Sequence, residues 1–368
     1  MNFSKLTEYL NSLTGKEAAG SDVAVFKDGK PIYRHMSGFA DIKNGIKISA
    51  NTIYPLFSST KIITCIAAFM LYEQGKFDLD EKLSDYFPEF SQMKVKIDET
   101  ETKDAENPIL IRHLFSMMAG FSYDLELPSL FEYRVETGGE CPTSLFPSYL
   151  AKEPLMFEPG TSWKYSVCHD VIGALIEKWS GMTFGEFLEK SIFNPLKMKD
   201  THFILPEGKL SRVAERYRYN EETAQLELCP NNVKYRLGSK FESGGAGLYS
   251  TVDDYMLFMQ AVLSEKLIKR ETINLMNTNY VPESALSVYQ TGNRGGCGYG
   301  LGVKMLLDAS VNDSKASLGS FGWGGATGTH LLFDFEKNLA LFYAKNVSSP
   351  DGFIPLKIEN LLYEALEI

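Results

Sequence analysis

Phe3, Leu6, Leu10 and Leu13 recur at three- and four-residue intervals among polar neighbours. That spacing predicts a surface helix with one buried stripe. Two short β-rich runs follow, Asp22 to Lys27 and Lys30 to Met36, joined by Asp28-Gly29, a dipeptide suited to the left-handed backbone of a two-residue hairpin. The far end of the chain has a similar pattern. Gly328 to Phe335 and Asn338 to Lys345 are strand-like and separated by Glu336-Lys337, and Pro355 to Ile368 sets Leu361, Leu362, Ala365 and Leu366 inward on a helix.

Between the two ends helical periods dominate. Thr183 with Glu186, and Thr251 with Asp254, have the spacing of a capping box, in which a hydroxyl and a carboxylate satisfy the free N–H groups of a helix start. Ile172 to Trp179 runs into Ser180-Gly181, a glycine stop. The charged segment Lys94 to Glu106 and the polar segment Tyr217 to Lys240 read as surface excursions. The expected fold class is therefore α+β, an antiparallel sheet from both chain ends flanked by helices, with a mainly helical second lobe. We expect one domain over 1–368, its sheet lobe about 1–57 and 298–368, its helical lobe about 58–297.

Composition narrows the functions. With 44% hydrophobic and 23% charged residues the chain can build a packed core. A formal charge of −10 without any Lys/Arg-rich run removes the footprint that nucleic acid or anionic lipid requires. The first twenty residues hold no uninterrupted apolar run, so no signal peptide and no membrane span are expected. Five irregularly spaced cysteines without a C-x-x-C pair suggest free thiols in a reducing cytoplasm. The histidines have no ligand-like spacing, so neither a metal nor a cofactor is expected.

The sharpest chemical feature is Ser58-Ser59-Thr60-Lys61, leading into the apolar run Ile62 to Leu71. If that run is a buried helix, Ser58 sits at its N-terminus and Lys61 one turn on, facing the same way. The free N–H groups and partial positive charge there favour an oxyanion formed when a hydroxyl attacks a carbonyl. A lysine in an apolar helix is costly to keep charged, which suits it to act as a base. The four-residue pattern alone does not discriminate, because Ser91-Gln92-Met93-Lys94 also fits it, and an N-cap serine followed by a surface lysine would read the same way. Tyr165, in Pro159-Gly160-Thr161-Ser162-Trp163-Lys164-Tyr165-Ser166, is either a core aromatic or a proton shuttle whose anion a nearby ammonium would stabilise. Trp323-Gly324-Gly325 precedes a strand, and glycines there mark a place where another group approaches closely. His169, beside Asp170, is a candidate pocket wall.

In this order and at these separations the features resemble the serine β-lactamase and penicillin-binding protein superfamily, nearest to class C β-lactamases and family VIII carboxylesterases. The resemblance extends through Gly38-Phe39-Ala40-Asp41, Gly75 to Asp80, Gly244 to Leu248 and Gly298 to Gly302. It implies a β-lactamase/transpeptidase-like fold. It further implies Ser58 as nucleophile, Lys61 as its activating partner and Tyr165 as general base and acid. The N–H groups of Ser58 and Ala326 would form an oxyanion hole, with Trp323, Gly324, Gly325 and His169 around the substrate.

Two departures shift the expected substrate. Val167 stands where β-lactamases carry an asparagine that contacts the substrate amide, and Trp323 stands where they carry a cation for the substrate carboxylate. Tryptophan there is what family VIII esterases show, and an aromatic wall suits an uncharged acyl or alkyl group. A small ester, or less favourably an amide, is the expected substrate. The alternatives are a β-lactamase, a D-amino-acid peptidase or a transesterase of the same fold, and, in another class, a silent sensor that keeps the pocket without turnover. Oligomeric state is left open.

Overall fold

The computed structural model describes residues 1–229, 236–348 and 351–367. The stripe of Leu6 and Leu10 lies on helix α1 (Ser4–Ser12), and both side chains are buried. The Asp28-Gly29 turn joins β1 (Gly20–Lys27) to β2 (Lys30–Asp41), with both turn residues at positive φ as a two-residue hairpin requires. β3 (Ile46–Lys47) extends this edge. The other end of the chain supplies β4 (Cys297–Tyr299), β5 (Lys304–Leu306), β6 (Phe321–Gly324), β7 (His330–Asp334) and β8 (Leu339–Lys345). β8 pairs antiparallel with β1, closing one eight-stranded sheet in the order β4-β5-β6-β7-β8-β1-β2-β3.

Its central strands are buried on both sides, so their side chains divide between two layers of core. Val23, Val25, Leu332, Leu339, Leu341 and Tyr343 pack with Leu6 and Leu10 of α1 and with Ile358 and Leu362 of the C-terminal helix, residues Ile354–Leu366. Ala24, Leu331, Phe333, Ala340 and Phe342 face the other way, into the larger core shared with the middle of the chain. Each fully buried leucine contributes roughly 1.5–3 kcal/mol of burial free energy. Leu362→Ala would therefore loosen the first layer without touching the second.

Among the helices that build the larger core are α2 (Thr60–Tyr72), α3 (Cys168–Ser180) and α4 (Val252–Leu263). α2 is buried on nearly every side, as its unbroken apolar sequence requires. α3 ends at Gly181 in the left-handed conformation, the glycine stop expected from the sequence. Thr183 and Glu186 form a complete capping box. Thr251 forms half of one: its hydroxyl caps Asp254 N–H, but the Asp254 carboxylate turns to the Asp200 N–H and the Thr201 hydroxyl instead. Aspartate is one methylene shorter than the glutamate of a full box, and the nearer donors hold it.

Lys94 to Glu106 is an exposed hairpin, and Tyr217 to Leu228 a two-stranded one whose Tyr217 is buried. Residues 230–235 of the expected polar excursion, and Ile368 of the expected final helix, lie outside the described residues. Among the described residues no helix is long and apolar enough to cross a membrane.

Candidate active site

A short 3-10 turn, Phe57–Ser59, delivers Ser58 to the start of α2. Phe57 takes φ +46, a left-handed conformation unfavourable for a bulky residue, so the surroundings must impose it. They do so from several sides. Leu56 N–H bonds to Leu248 C=O at 2.9 Å, Tyr255 Oη donates to Ser59 C=O at 2.8 Å, and the Ser59 and Thr329 hydroxyls lie 2.9 Å apart. Thr329 also donates to Leu56 C=O at 3.1 Å. The backbone at Gly325 comes so close that a Cβ there would sit 2.3 Å from Leu56 C=O, which explains the glycine.

Ser58 is half-buried, and Tyr165 Oη donates to its Oγ at 2.5 Å. Tyr165 precedes α3 in an extended stretch. Its ring stacks with Tyr123, at 5.0 Å between centroids, and with Trp323, at 5.8 Å. Lys61 is 0% exposed, and its Nζ lies 4.6 Å from the centroid of the Tyr165 ring and 5.5 Å from that of Tyr123. Its ammonium donates to Gly245 C=O at 2.7 Å. Beneath Gly245 the buried Asp170 carboxylate accepts from Ser243 Oγ at 2.5 Å and from Gly245 N–H at 3.2 Å. Burial raises the Asp170 carboxyl above its usual range, against the opposing pull of the Ser243 bond and the Lys61 charge.

The Ser58 hydroxyl and the phenol bonded to it thus line a cavity of about 600 Å³, with the Lys61 side chain buried behind them against the phenol ring. Trp323, Gly324, Gly325 and Ala326 line the same cavity. Ala326 lies in the turn after β6. Such a constellation can activate a serine, hold a developing oxyanion and return a proton to a leaving group.

A family model described as Beta-lactamase matches residues 9–363. The chain belongs to the beta-lactamase family. Within it, relatives include esterase EstB of Burkholderia gladioli, 25% identical over 94% of this chain and 91% of the relative. Lovastatin esterase of Penicillium rubens is 26% identical over 89% of this chain and 88% of that protein. The solved structure of EstCE1, a hydrolase with promiscuous acyltransferase activity, superposes with a TM-score of 0.81 at 24% identity, covering 98% of each chain. This likeness places the chain in the β-lactamase/transpeptidase-like fold, α+β with a large antiparallel sheet.

Against that family background some expected residues come together and one does not. Ser58, Lys61, Tyr165, Trp323, Gly324, Gly325 and Ala326 converge. His169 does not line the cavity. It is fully buried in α3, neither ring nitrogen has a hydrogen-bond partner among the described residues, and burial holds its imidazole well below the usual range. The first turn of α3 points it into the core, where a Cβ at Gly302 would lie 3.3 Å from its Nε2. Val167 is likewise buried and offers the cavity no polar contact. Sequence reasoning missed Tyr123, the outer ring of the stack, and the Gly245 carbonyl. Tyr123 carries no local signal, whereas Gly245 sits in the glycine-rich stretch Gly244 to Leu248 already noted.

Proposed function

We propose that this member of the beta-lactamase family is a carboxylesterase that forms an acyl-enzyme at Ser58. The observation that carries the reading is the Tyr165–Ser58 hydrogen bond with the Lys61 ammonium buried over the phenol ring. In the reactive state Tyr165 has lost its proton, the phenolate being stabilised by the adjacent cation, and Ser58 O–H donates to it. Attack of Oγ on the ester carbonyl passes the serine proton to Tyr165, while the N–H groups of Ser58 and Ala326 receive the oxyanion. Collapse expels the alcohol, protonated from Tyr165, and water repeats the sequence on the acyl-enzyme. Lys61, anchored on the Gly245 carbonyl, holds its Nζ against the phenol ring.

Uncharged esters fit best around Ser58, because Trp323 and the buried Val167 offer nothing there to pair with a carboxylate or an acylamino group. The names of EstB and lovastatin esterase agree with this substrate class. We read the chain as one catalytic unit whose cavity opens between a sheet lobe and a mainly helical lobe. A reducing cytoplasm suits its five free cysteines.

The test is twofold. A fluorophosphonate should add to Ser58, located by mass spectrometry of the intact protein and its peptides, and an adduct elsewhere or none would remove the nucleophile assignment. For p-nitrophenyl esters kcat/KM should exceed that for nitrocefin by at least about a hundredfold, the order expected when polar substrate contacts are missing. Equal efficiency would restore the β-lactamase reading.

A further inference from the structure

The cavity does not end at Ser58 and Tyr165. Its lining also includes Leu306, Leu332, Ile354 and Leu356, with His330, Glu359 and the cationic Lys304 and Lys345. His330 and Leu332 alternate with Leu331 and Phe333 along β7, so they belong to the sheet face that packs on the C-terminal helix, opposite the main core. The lining thus draws residues from both faces of the sheet, and β5 pairs with β6 only at Phe321 and Gly322, leaving Trp323 and Gly324 without a β5 partner.

At this second arm the polar groups are built in rather than incidental. His330 is 5% exposed and Glu359 9%, and Nε2 lies 2.6 Å from Oε1. Across the strands His330 faces Gly324, whose missing side chain leaves the imidazole uncovered: a Cβ there would lie 4.0 Å from Nδ1. Among the described residues Nδ1 has no hydrogen-bond partner. A buried imidazole and carboxylate at the edge of an apolar layer cost desolvation, and a half-satisfied pair costs more than an apolar one. That cost is offset if a ligand completes the pair. With Nε2–H given to Glu359, Nδ1 accepts a hydrogen bond; if the ring is protonated, Nδ1–H donates one. A hydroxyl serves either state.

We propose that this arm is a second substrate subsite, which takes a hydroxyl group carried on a bulky, mainly apolar portion of the ester. His330 Nδ1 binds the hydroxyl, and Glu359 is a positioning residue that fixes the ring. About 600 Å³ is far more than an acetyl ester fills and lies in the range of sites for drug-sized ligands. The proposal rests on the esterase reading of Ser58 and names the substrate class of that same site.

Two matched pairs of esters test it: p-nitrophenyl hexanoate against p-nitrophenyl 6-hydroxyhexanoate, and hexyl butyrate against 6-hydroxyhexyl butyrate. The pairs place the hydroxyl on the acyl and on the alcohol side. In one pair the hydroxylated ester should have a kcat/KM at least about tenfold higher, as a hydrogen bond in a desolvated site gives. His330→Leu should bring that ratio to one or below, and Glu359→Gln should lower it. Because the readout is a ratio within one variant, a general loss of activity does not mimic the effect. If His330→Leu does not fold, Glu359→Gln decides. A wild-type ratio near one in both pairs, or a ratio unchanged in the variants, overturns the subsite. Turnover of p-nitrophenyl acetate with a Ser58 adduct but no hydroxyl preference overturns the subsite alone, whereas absence of the adduct overturns the esterase reading.

Discussion

Ser58 to Lys61 and Ser91 to Lys94 share one four-residue spacing, and the fold treats them oppositely. The first opens a buried helix, its serine held by a tyrosine hydroxyl and its lysine enclosed by a carbonyl and two aromatic rings. The second ends an exposed turn, where Lys94 pairs with Asp104 at 2.5 Å in water. Side chains of the same kind therefore face different free-energy balances. An exposed ion pair gains little and changes little, since solvent screens it. A buried ammonium has exchanged its hydration for fixed dipoles and ring faces, so it acts strongly on whatever anion forms beside it. The spacing brings serine and lysine together, and desolvation gives the pair its chemical consequence.

The largest effect that could break this contrast is at the serines. Ser58→Ala should lower kcat for p-nitrophenyl butyrate by at least about 10⁴-fold, as loss of a nucleophile does, while Ser91→Ala should leave it unchanged. Steady-state kinetics on the two folded variants decides, and a loss at Ser91 would refute the environmental argument outright. Next in size is Tyr165→Phe, which keeps the ring stack and deletes only the hydroxyl. It should reduce kcat by about 10²–10⁴-fold with little change in KM. Lys61→Ala should depress kcat as well. Near-normal turnover in Tyr165→Phe would move the proton shuttle to another group.

The smallest effect is on stability and concerns the support of the Tyr165 loop. His113 accepts a hydrogen bond from Leu110 N–H at Nδ1, and its Nε2 lies beneath Gly160, where a Cβ would approach to 2.9 Å. Burial, with Arg112 nearby, pushes its imidazole down to about 4 from an ordinary 6.5. The fold favours the neutral ring, so the unfolded chain binds more protons between those values. Its contribution is complete above pH 6.5 and is lost as pH falls toward about 4. His113→Asn can retain the acceptor without titrating. Thermal melts across that window should therefore show a shallower fall of Tm in the variant than in the native protein. Equal slopes would show that His113 titrates normally.

Much of this arrangement was legible from residue spacing. The helix stripe of Leu6 and Leu10, the Asp28-Gly29 hairpin, the Thr183–Glu186 box and the Gly181 stop all depend on neighbours a few residues away, and each formed. The half-formed box at Thr251 failed because a distant segment, Asp200-Thr201, competes for the Asp254 carboxylate. His169 failed as a pocket wall because the orientation of α3 about its axis depends on what it packs against.

Local sequence thus determined the elements and the order in which Ser58, Lys61, Tyr165 and Trp323 appear along the chain. Tertiary structure alone decided that Tyr123 stacks on Tyr165, that Gly245 holds Lys61, and that one cavity is lined both by Ser58 and Tyr165 and by His330 and Glu359. The physical reason is range. Backbone conformation and capping are set within a turn or two of chain, whereas stacking, burial of charge and cavity shape arise where segments distant along the chain meet. Such meetings depend on how whole layers pack, and no short stretch of residues encodes them.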